Sequence, residues 1–337
     1  MILITGGTGL VGAHLLYHLV SSNQKVKAIY RNKSKLANTK QVFATYTDNY
    51  ESFFNSIDWI EADILDIPSL ENAMQHIEYV YHCAAYVSFE PDKYHQLRKT
   101  NIEGTANIVN LCLAFNIKKL CYVSSIATLG EPIKNEPITE TSIWNPEGDH
   151  SVYAITKYGA EMEVWRGTQE GLKAIIVNPG VILGAGIWQY GTGSLFKRAK
   201  KGINYFTAGT IGLIAVKDVV AIMVALVNST ITNERFVLVA ENWTYKQFLQ
   251  ELSKSVNTKP PTKQAGKGLL SFAWRIDWLK HKLTGKRRQL TKHLAKSLNS
   301  KTNYSSKKIN TVLNHNFKDI NTYINDTAIL YLKQTKP

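Results

Sequence analysis

Cysteine is scarce: Cys83, Cys112 and Cys121 are three in 337 residues. Their number is odd and they form no CxxC spacing, which excludes a disulfide framework and a cysteine-based zinc site. They read as reduced, mostly buried thiols. No 18-residue apolar run is present, so no stretch qualifies as a membrane-spanning helix. The apolar opening Met1-Ile2-Leu3-Ile4 breaks at Thr5-Gly6-Gly7, too early for a signal-peptide core, and a cytoplasmic location is expected. Internal repeats and low-complexity tracts are absent too, which argues against a solenoid or a disordered chain.

Acidic residues are also in short supply, 26 against 40 Lys and Arg, for a net charge of +14. The deficit is local: Lys259 to Thr302 carries twelve Lys/Arg and the single acid Asp277, a net +11. Such a block can face nucleic acid, anionic lipid or an acidic ligand, and its plainest reading is a solvated basic face. Because no nucleic-acid-binding motif accompanies the charge, no nucleic-acid partner is expected.

What is present is an ordinary globular composition, 44% hydrophobic and 20% charged. At ~150 residues per domain the length suits roughly two domains. Apolar runs alternate with amphipathic stretches through the first half. Strands are expected at Met1–Thr5, Lys25–Tyr30, Asp58–Glu61, Tyr79–Cys83, Lys119–Ser124 and Lys173–Asn178. Helices are expected at Leu10–Ser22, Ser69–His76, Tyr94–Phe115 and Tyr153–Glu170. This alternation demands crossover connections and a parallel sheet covered on both faces. Beyond Pro179 the pattern loosens, with a helix at Lys217–Asn228, a strand at Arg235–Ala240 and a helix over Trp243–Val256 opening at Thr244.

Between the first strand and the first helix lies Thr5-Gly6-Gly7-Thr8-Gly9-Leu10-Val11-Gly12. Gly7, Gly9 and Gly12 fit GxGxxG, and Gly6, Gly9 and Gly12 fit GxxGxxG. Glycines here permit a tight turn, backbone approach to a pyrophosphate and close packing of helix on strand. The anion would rest on the helix N-terminus, contacted by Gly6, Thr8, Gly9, Leu10, Val11 and Gly12. An acid about 20 residues further on would bind the ribose hydroxyls of NAD. In its place stands Tyr30-Arg31-Asn32-Lys33-Ser34-Lys35. A guanidinium at Arg31 can clamp a 2′-phosphate, so NADP(H) is the expected cofactor, with NAD(H) left open.

Tyr153-Ala154-Ile155-Thr156-Lys157 sets a phenol and an ammonium four residues apart on one helix face. A free phenol titrates near ~10, and a nearby cation is expected to lower it, making an acid/base pair. YxxxK alone is common on helix surfaces; position distinguishes this one. Upstream, Tyr122-Val123-Ser124-Ser125 ends a strand in two hydroxyls, at the edge where open α/β sheets bind ligands.

In this order, the glycine turn, the strand-end serine and YxxxK resemble the extended short-chain dehydrogenase/reductase family. Further matches are Ala62-Asp63-Ile64-Leu65-Asp66, His82-Cys83-Ala84-Ala85, Thr100-Asn101-Ile102-Glu103-Gly104-Thr105 and Asn178-Pro179-Gly180-Val181-Ile182-Leu183-Gly184. The resemblance implies a Rossmann-type doubly wound parallel sheet over 1–179. A smaller, mostly helical substrate-binding region would span 180–337, with about 213–240 returning to the sheet. It also implies that Tyr153 is the catalytic acid/base, that Lys157 tunes it and holds the nicotinamide ribose, and that Ser125 polarises the substrate oxygen. Asp63 and Ile64 would contact adenine, Ala84 and Ala85 would line the cofactor path with Asn101 nearby, and Pro179 would pack near the nicotinamide. Ala85-Tyr86-Val87-Ser88-Phe89 and Leu283-Thr284-Gly285-Lys286-Arg287 look most like the dihydroflavonol-reductase and 3β-hydroxysteroid-dehydrogenase-like branch.

The expectation is therefore a reductase or dehydrogenase interconverting a ketone and a secondary alcohol on a small, fairly apolar substrate. A nucleotide-sugar epimerase or dehydratase with retained NAD, and a non-catalytic NAD(P)-binding sensor or scaffold, are the rivals. The aromatics Tyr86, Phe89, Trp188, Tyr190, Phe196, Tyr205, Phe206, Trp274 and Trp278 are candidates for an apolar pocket. His14 and His18 imitate a metal pair, but no third ligand accompanies them and no metal is expected. His82 reads as packed. Leu269, Phe272, Ile276, Leu279 and Leu283 form one helical stripe, with Trp274 and Trp278 on another side among Arg275, His281 and Lys282; a packing or substrate-covering helix is expected, and membrane-surface contact through 269–283 or a partner interface are the lesser alternatives. A homodimer is compatible with the sequence.

Overall fold

The computed structural model describes residues 1–131, 136–286, 288 and 290–335. Arg287, part of the branch resemblance, lies outside them. The first six strands are β1 (Ile2–Thr5), β2 (Val26–Tyr30), β3 (Asp58–Glu61), β4 (Tyr79–His82), β5 (Lys119–Val123) and β6 (Ala174–Pro179). After them come β7 (Val181–Leu183), β8 (Tyr205–Phe206), β9 (Thr210–Ala215), β10 (Glu234–Leu238), β11 (Glu241–Thr244) and β12 (Lys263–Gln264).

Seven strands form one sheet in the order β10-β6-β5-β4-β1-β2-β3, every neighbouring pair parallel. Alternate residues bury on opposite faces, as strand periodicity requires. Ile4, Ala28, Tyr81, Cys121 and Ile175 join one core with the helices Leu10–Ser21 and Val216–Asn228. Leu3, Ile29, Val80, Leu120 and Ile176 join the other with Gly104–Ala114 and Val152–Gln169. β1 lies between β2 and β4, and the chain leaves β1 and β4 toward opposite faces, opening a crevice at their C-terminal ends.

A second sheet, β11-β9-β7, gathers its own core with the helices Gly193–Lys201, Tyr245–Ser255 and Ile320–Gln334. β10 sits at the edge of the large sheet, whereas β9 pairs with β7 and β11. Trp243, expected in a helix, is the buried third residue of β11; Thr244 then caps the helix by accepting from Gln247 N at 3.1 Å. The expected helix Tyr94–Phe115 contains one π-helical turn, Lys99–Glu103.

Among the described residues no helix is long and apolar enough to cross a membrane, and no group of His, Cys, Asp and Glu could hold a metal. His14 is buried, with Nδ1 2.6 Å from Tyr46 Oη and Nε2 3.0 Å from Ala185 O.

On the helix Lys267–Thr284 the expected packing face is reversed. Leu270 and Trp274 dock with Ala265, Leu290 and Ala295, while Leu269, Phe272, Ile276, Leu279 and Leu283 face solvent. A stripe defined by spacing fixes which residues share a side, not whether that side meets protein.

Candidate active site

The turn after β1 has the shape a phosphate needs. Gly6 takes φ +72°, and a Cβ there would stand 2.6 Å from Ala84 N, across the crevice on the loop after β4. At Gly12 a Cβ would fall 2.3 Å from Gly6 O, so this glycine lets the helix close on the turn. Gly9 differs: its Cβ would meet only Gly6 O, at 3.3 Å, so its outer side is open to an approaching group. Of the two spacings read from the sequence, the Gly6, Gly9, Gly12 frame is the one with these tasks. Gly9 is the N-cap of the helix, with no side-chain cap over its N-terminus. That leaves Thr8, Leu10 and Val11 around a cradle that suits a pyrophosphate.

At the adenosine end, Arg31 follows β2 and Asp63 follows β3. Their side chains meet, Nη1 to Oδ2 at 3.5 Å, and the Arg31 guanidinium remains largely exposed. Ile64 is buried against Gly104, where a Cβ would lie 2.5 Å from its Cδ1, and Asn107 donates to Ile64 O at 3.0 Å. Ile64 therefore offers packing behind the crevice more than a free surface. Asn101 is likewise occupied. Its Oδ1 accepts from Tyr86 N at 2.8 Å, and its Nδ2 donates to Tyr86 O at 3.0 Å and to Thr156 Oγ1 at 3.2 Å. It pins the loop after β4 to the helix that carries Tyr153. On that loop Ala84 N donates to Thr5 Oγ1 at 3.2 Å, and Ala85 is exposed.

The proposed catalytic groups converge at the ends of β5 and β6. Ser151 caps the helix Val152–Gln169, accepting from Ala154 N at 3.1 Å, which sets Tyr153 and Lys157 in its first two turns. Tyr153 faces the Ser125 side chain, which accepts from Ala127 N at 3.1 Å. Ser124 points the other way, donating to the fully buried Glu161 at 2.5 Å. Geometry thus separates the two serines, Ser125 facing Tyr153 and Ser124 the Glu161 carboxylate. Pro179 ends β6, and the preceding Asn178 donates to Thr128 Oγ1 and Glu161 Oε2, each at 2.9 Å, tying β6 beneath the Ser125 turn.

Lys157 is almost wholly buried, and its Nζ donates to Tyr122 Oη at 2.6 Å and to Val123 O at 2.8 Å. Burial lowers its pKa to about 7, with Glu161 and Cys83 opposing. The expected lowering of the Tyr153 phenol is not found. Burial pushes it up to about 12, and the Ser125 side chain acts in the other direction. At neutral pH Tyr153 is thus a proton donor and not a phenolate.

The Phe89 ring stands edge-on to Tyr153, with centroids 5.4 Å apart, and is itself 40% exposed. It is an apolar wall beside the reacting position. Other candidate pocket aromatics lie elsewhere. Trp188 and Phe196 are in the core of the second sheet, Trp274 packs under its own helix, and Tyr190 sits over Lys35 and bonds Asn38 near the glycine turn. Sequence reasoning missed Tyr122, Glu161 and Arg235. The last donates to Glu161 Oε1 at 3.0 Å. Glu161 stands four residues beyond Lys157, a spacing that puts it on the same helix face and was the available signal.

Comparison with known proteins gives the family and the fold. Residues 2–238 match the NAD dependent epimerase/dehydratase family. A putative dihydroflavonol 4-reductase of Synechocystis is 29% identical over 80% of this chain and 77% of its own. Sterol demethylase protein B of Methylococcus capsulatus is 27% identical over 75% and 73%. The crystal structure of UDP-glucose 4-epimerase from Thermotoga maritima superposes with a TM-score of 0.76 over 99% of both chains, at 21% identity, a likeness of fold.

Proposed function

The chain belongs to the NAD dependent epimerase/dehydratase family, the extended short-chain dehydrogenases/reductases, and within it we propose an NADP(H)-dependent enzyme interconverting a ketone and a secondary alcohol on a small, fairly apolar substrate. The observation that carries this reading is the placing of the Tyr153 phenol next to the Ser125 side chain and beside the Phe89 ring. It sets a proton donor and a second hydroxyl on one oxygen-sized position with an apolar flank.

The glycine turn, Arg31 and Asp63 would hold the dinucleotide, with its nicotinamide toward Pro179. Bound there, NADP(H) supplies or accepts the hydride at the substrate carbon. The chain's own part is the oxygen. Ser125 donates a hydrogen bond to it and Tyr153 transfers a proton from Oη as negative charge develops there. A phenol pushed up to about 12 is protonated at neutral pH, so Tyr153 holds the proton that the oxygen would receive. Lys157, partly charged near pH 7, reaches from the helix Val152–Gln169 to the end of β5 and places a cation under the site. Arg31 at the end of β2 supports the 2′-phosphate, since an exposed guanidinium forks onto phosphate where an acid would repel it.

The test is titration of the purified chain with NADPH and with NADH, followed by a panel of carbonyl substrates with loss of NADPH absorbance as the signal. NADPH is expected to bind more tightly, and Arg31→Asp to reverse the order. Tyr153→Phe is expected to abolish turnover while cofactor affinity stays within about twofold, because the change removes one hydroxyl and leaves the glycine turn untouched. A clear preference for NADH would favour the retained-NAD epimerase reading, and undiminished turnover in Tyr153→Phe would remove the acid/base assignment.

A further inference from the structure

The helix Lys267–Thr284 turns its apolar stripe away from the protein. Its docked side is narrow: Leu270 and Trp274 pack inward, and Asp277 turns the same way, accepting from Leu290 N at 3.2 Å and lying 3.6 Å from the Arg288 guanidinium. Leu269, Phe272, Ile276, Leu279 and Leu283 are between 46% and 76% exposed. At about 100° per residue the five fall within an arc of roughly 80°, centred about 150° around the helix from the docked side. Single exposed leucines are ordinary on a surface; a continuous outward stripe is not.

The borders of the stripe are cationic. Arg275 and Lys282 run along one edge, Lys280 stands on the other, and Lys267 and Lys286 mark the two ends, all exposed. The single acid between Lys259 and Thr302 is Asp277, which is turned inward. An apolar stripe between long cationic side chains matches a surface with hydrocarbon below and phosphate above. The surplus of charge continues beyond the helix to Lys301, which suits a diffuse negative surface better than one localised acidic groove.

We propose that this face seats on an anionic lipid bilayer, the helix lying in the interfacial plane with Phe272, Ile276 and Leu279 at the acyl boundary. The same segment is fastened beside the catalytic mouth, since Arg288 N donates to Glu90 Oε2 at 3.1 Å on the loop that carries Phe89. If the substrate is apolar, which rests on the function proposed above, it would meet the site from the lipid side. The seating itself does not depend on that reading.

The experiment is co-sedimentation of the full chain with extruded vesicles. Strong binding is expected to phosphatidylcholine vesicles containing about a third phosphatidylglycerol, falling at least about tenfold with phosphatidylcholine alone or in ~0.5 M salt. Phe272→Ser/Leu279→Ser and Lys280→Glu/Lys282→Glu should each lower binding by about tenfold while keeping the parent's thermal midpoint and NADPH affinity. Leu283→Ser, at the most exposed stripe position, is the second variant should the first pair disturb folding. Three results would overturn the proposal: no sedimentation with anionic vesicles, binding indifferent to the stripe substitutions, or a dimer in light scattering that dissolves in the Phe272→Ser/Leu279→Ser variant.

Discussion

Lys157 Nζ is held by the Tyr122 hydroxyl at 2.6 Å, while Tyr153 faces Ser125. The two members of the YxxxK pair thus have separate neighbours. Tyr122 belongs to a buried series. The His82 ring stacks on the Tyr122 ring with centroids 5.5 Å apart, His82 Nε2 lies 3.0 Å from Thr105 Oγ1, and His82 Nδ1 lies 2.6 Å from Thr5 Oγ1 at the start of the glycine turn. The Lys157 ammonium and the glycine turn are therefore joined through side chains crossing β5, β4 and β1.

Tyr122→Phe keeps the ring and deletes the acceptor. A buried hydrogen bond to a charged group is worth about 1.5–3 kcal/mol, so the thermal midpoint should fall by several degrees. Turnover should drop about tenfold with little change in substrate KM, because the lost contact positions Lys157 and does not touch substrate. Steady-state kinetics and calorimetry on the one variant check both; parent-like values in each would mean that the hydroxyl is incidental.

Two buried histidines set the acid limit of stability. Burial lowers His82 to about 3, with Lys157 adding, and His14 to about 4, where the Ala185 carbonyl opposes burial and Lys217 adds to it. In the unfolded chain both titrate near ~6.5. Below that pH the unfolded state binds protons that the native state refuses. The contribution is complete above about 6.5 and is lost as pH falls toward 4, at up to about 1.4 kcal/mol per pH unit for each ring. Lys157 acts across the next window: its native pKa of about 7 lies below the ordinary 10.5, so stability rises as pH climbs between them. Urea midpoints measured from pH 5 to 8, below the range where the buried thiols of Cys83, Cys112 and Cys121 oppose the trend, should climb; a flat profile would contradict both assignments.

The large sheet was legible in the sequence because its inner strands are buried on both faces, and apolar runs between turn residues mark them. Asp58–Glu61 was placed with both ends correct, and the helix carrying Tyr153 to within a residue. The second sheet was not legible. β7 is three residues long, and β11 passes through Trp243 straight into a capped helix, so neither leaves a period to count. In the site, residue types and order gave Tyr153, Lys157 and Ser125. The partners of Lys157 and the environment of Tyr153 depend on what buries them, and local spacing carries no such information.

The glycines make separable predictions. Gly9→Ala adds a methyl that meets only Gly6 O at 3.3 Å, so the free protein should keep its thermal midpoint. That methyl points where a pyrophosphate would approach, and dinucleotide affinity should fall by at least about tenfold. Gly12→Ala drives a Cβ to 2.3 Å from a backbone oxygen and should cost about 1–3 kcal/mol of stability before any ligand is added. Isothermal titration and thermal melts on the pair distinguish them, and equal loss of stability in both would refute the division of labour.

Glu161 is the last group whose removal should be visible at a distance. Its carboxylate is fully buried and accepts from Ser124 at 2.5 Å, Thr128 at 2.7 Å, Asn178 at 2.9 Å and Arg235 at 3.0 Å. Those donors come from the end of β5, the turn that carries Ser125, the end of β6, and β10. Arg235 also donates to Glu140 O at 2.8 Å, which draws the loop after β5 into the same cluster. Glu161→Ala leaves a mostly buried guanidinium facing an empty site, and breaking such a pair costs about 3–5 kcal/mol. Glu161→Gln keeps the shape, so its loss of stability should be the smaller. It exchanges two acceptor oxygens for one oxygen and one donor, and either Arg235 or the Ser124, Thr128 and Asn178 group must then face an amide N–H. Because the Ser125 turn is one of the pieces held, turnover should fall about tenfold in Glu161→Gln, with NADPH affinity retained. Turnover and NADPH affinity falling together would instead mean that the glutamate supports the whole sheet edge and not the position of Ser125.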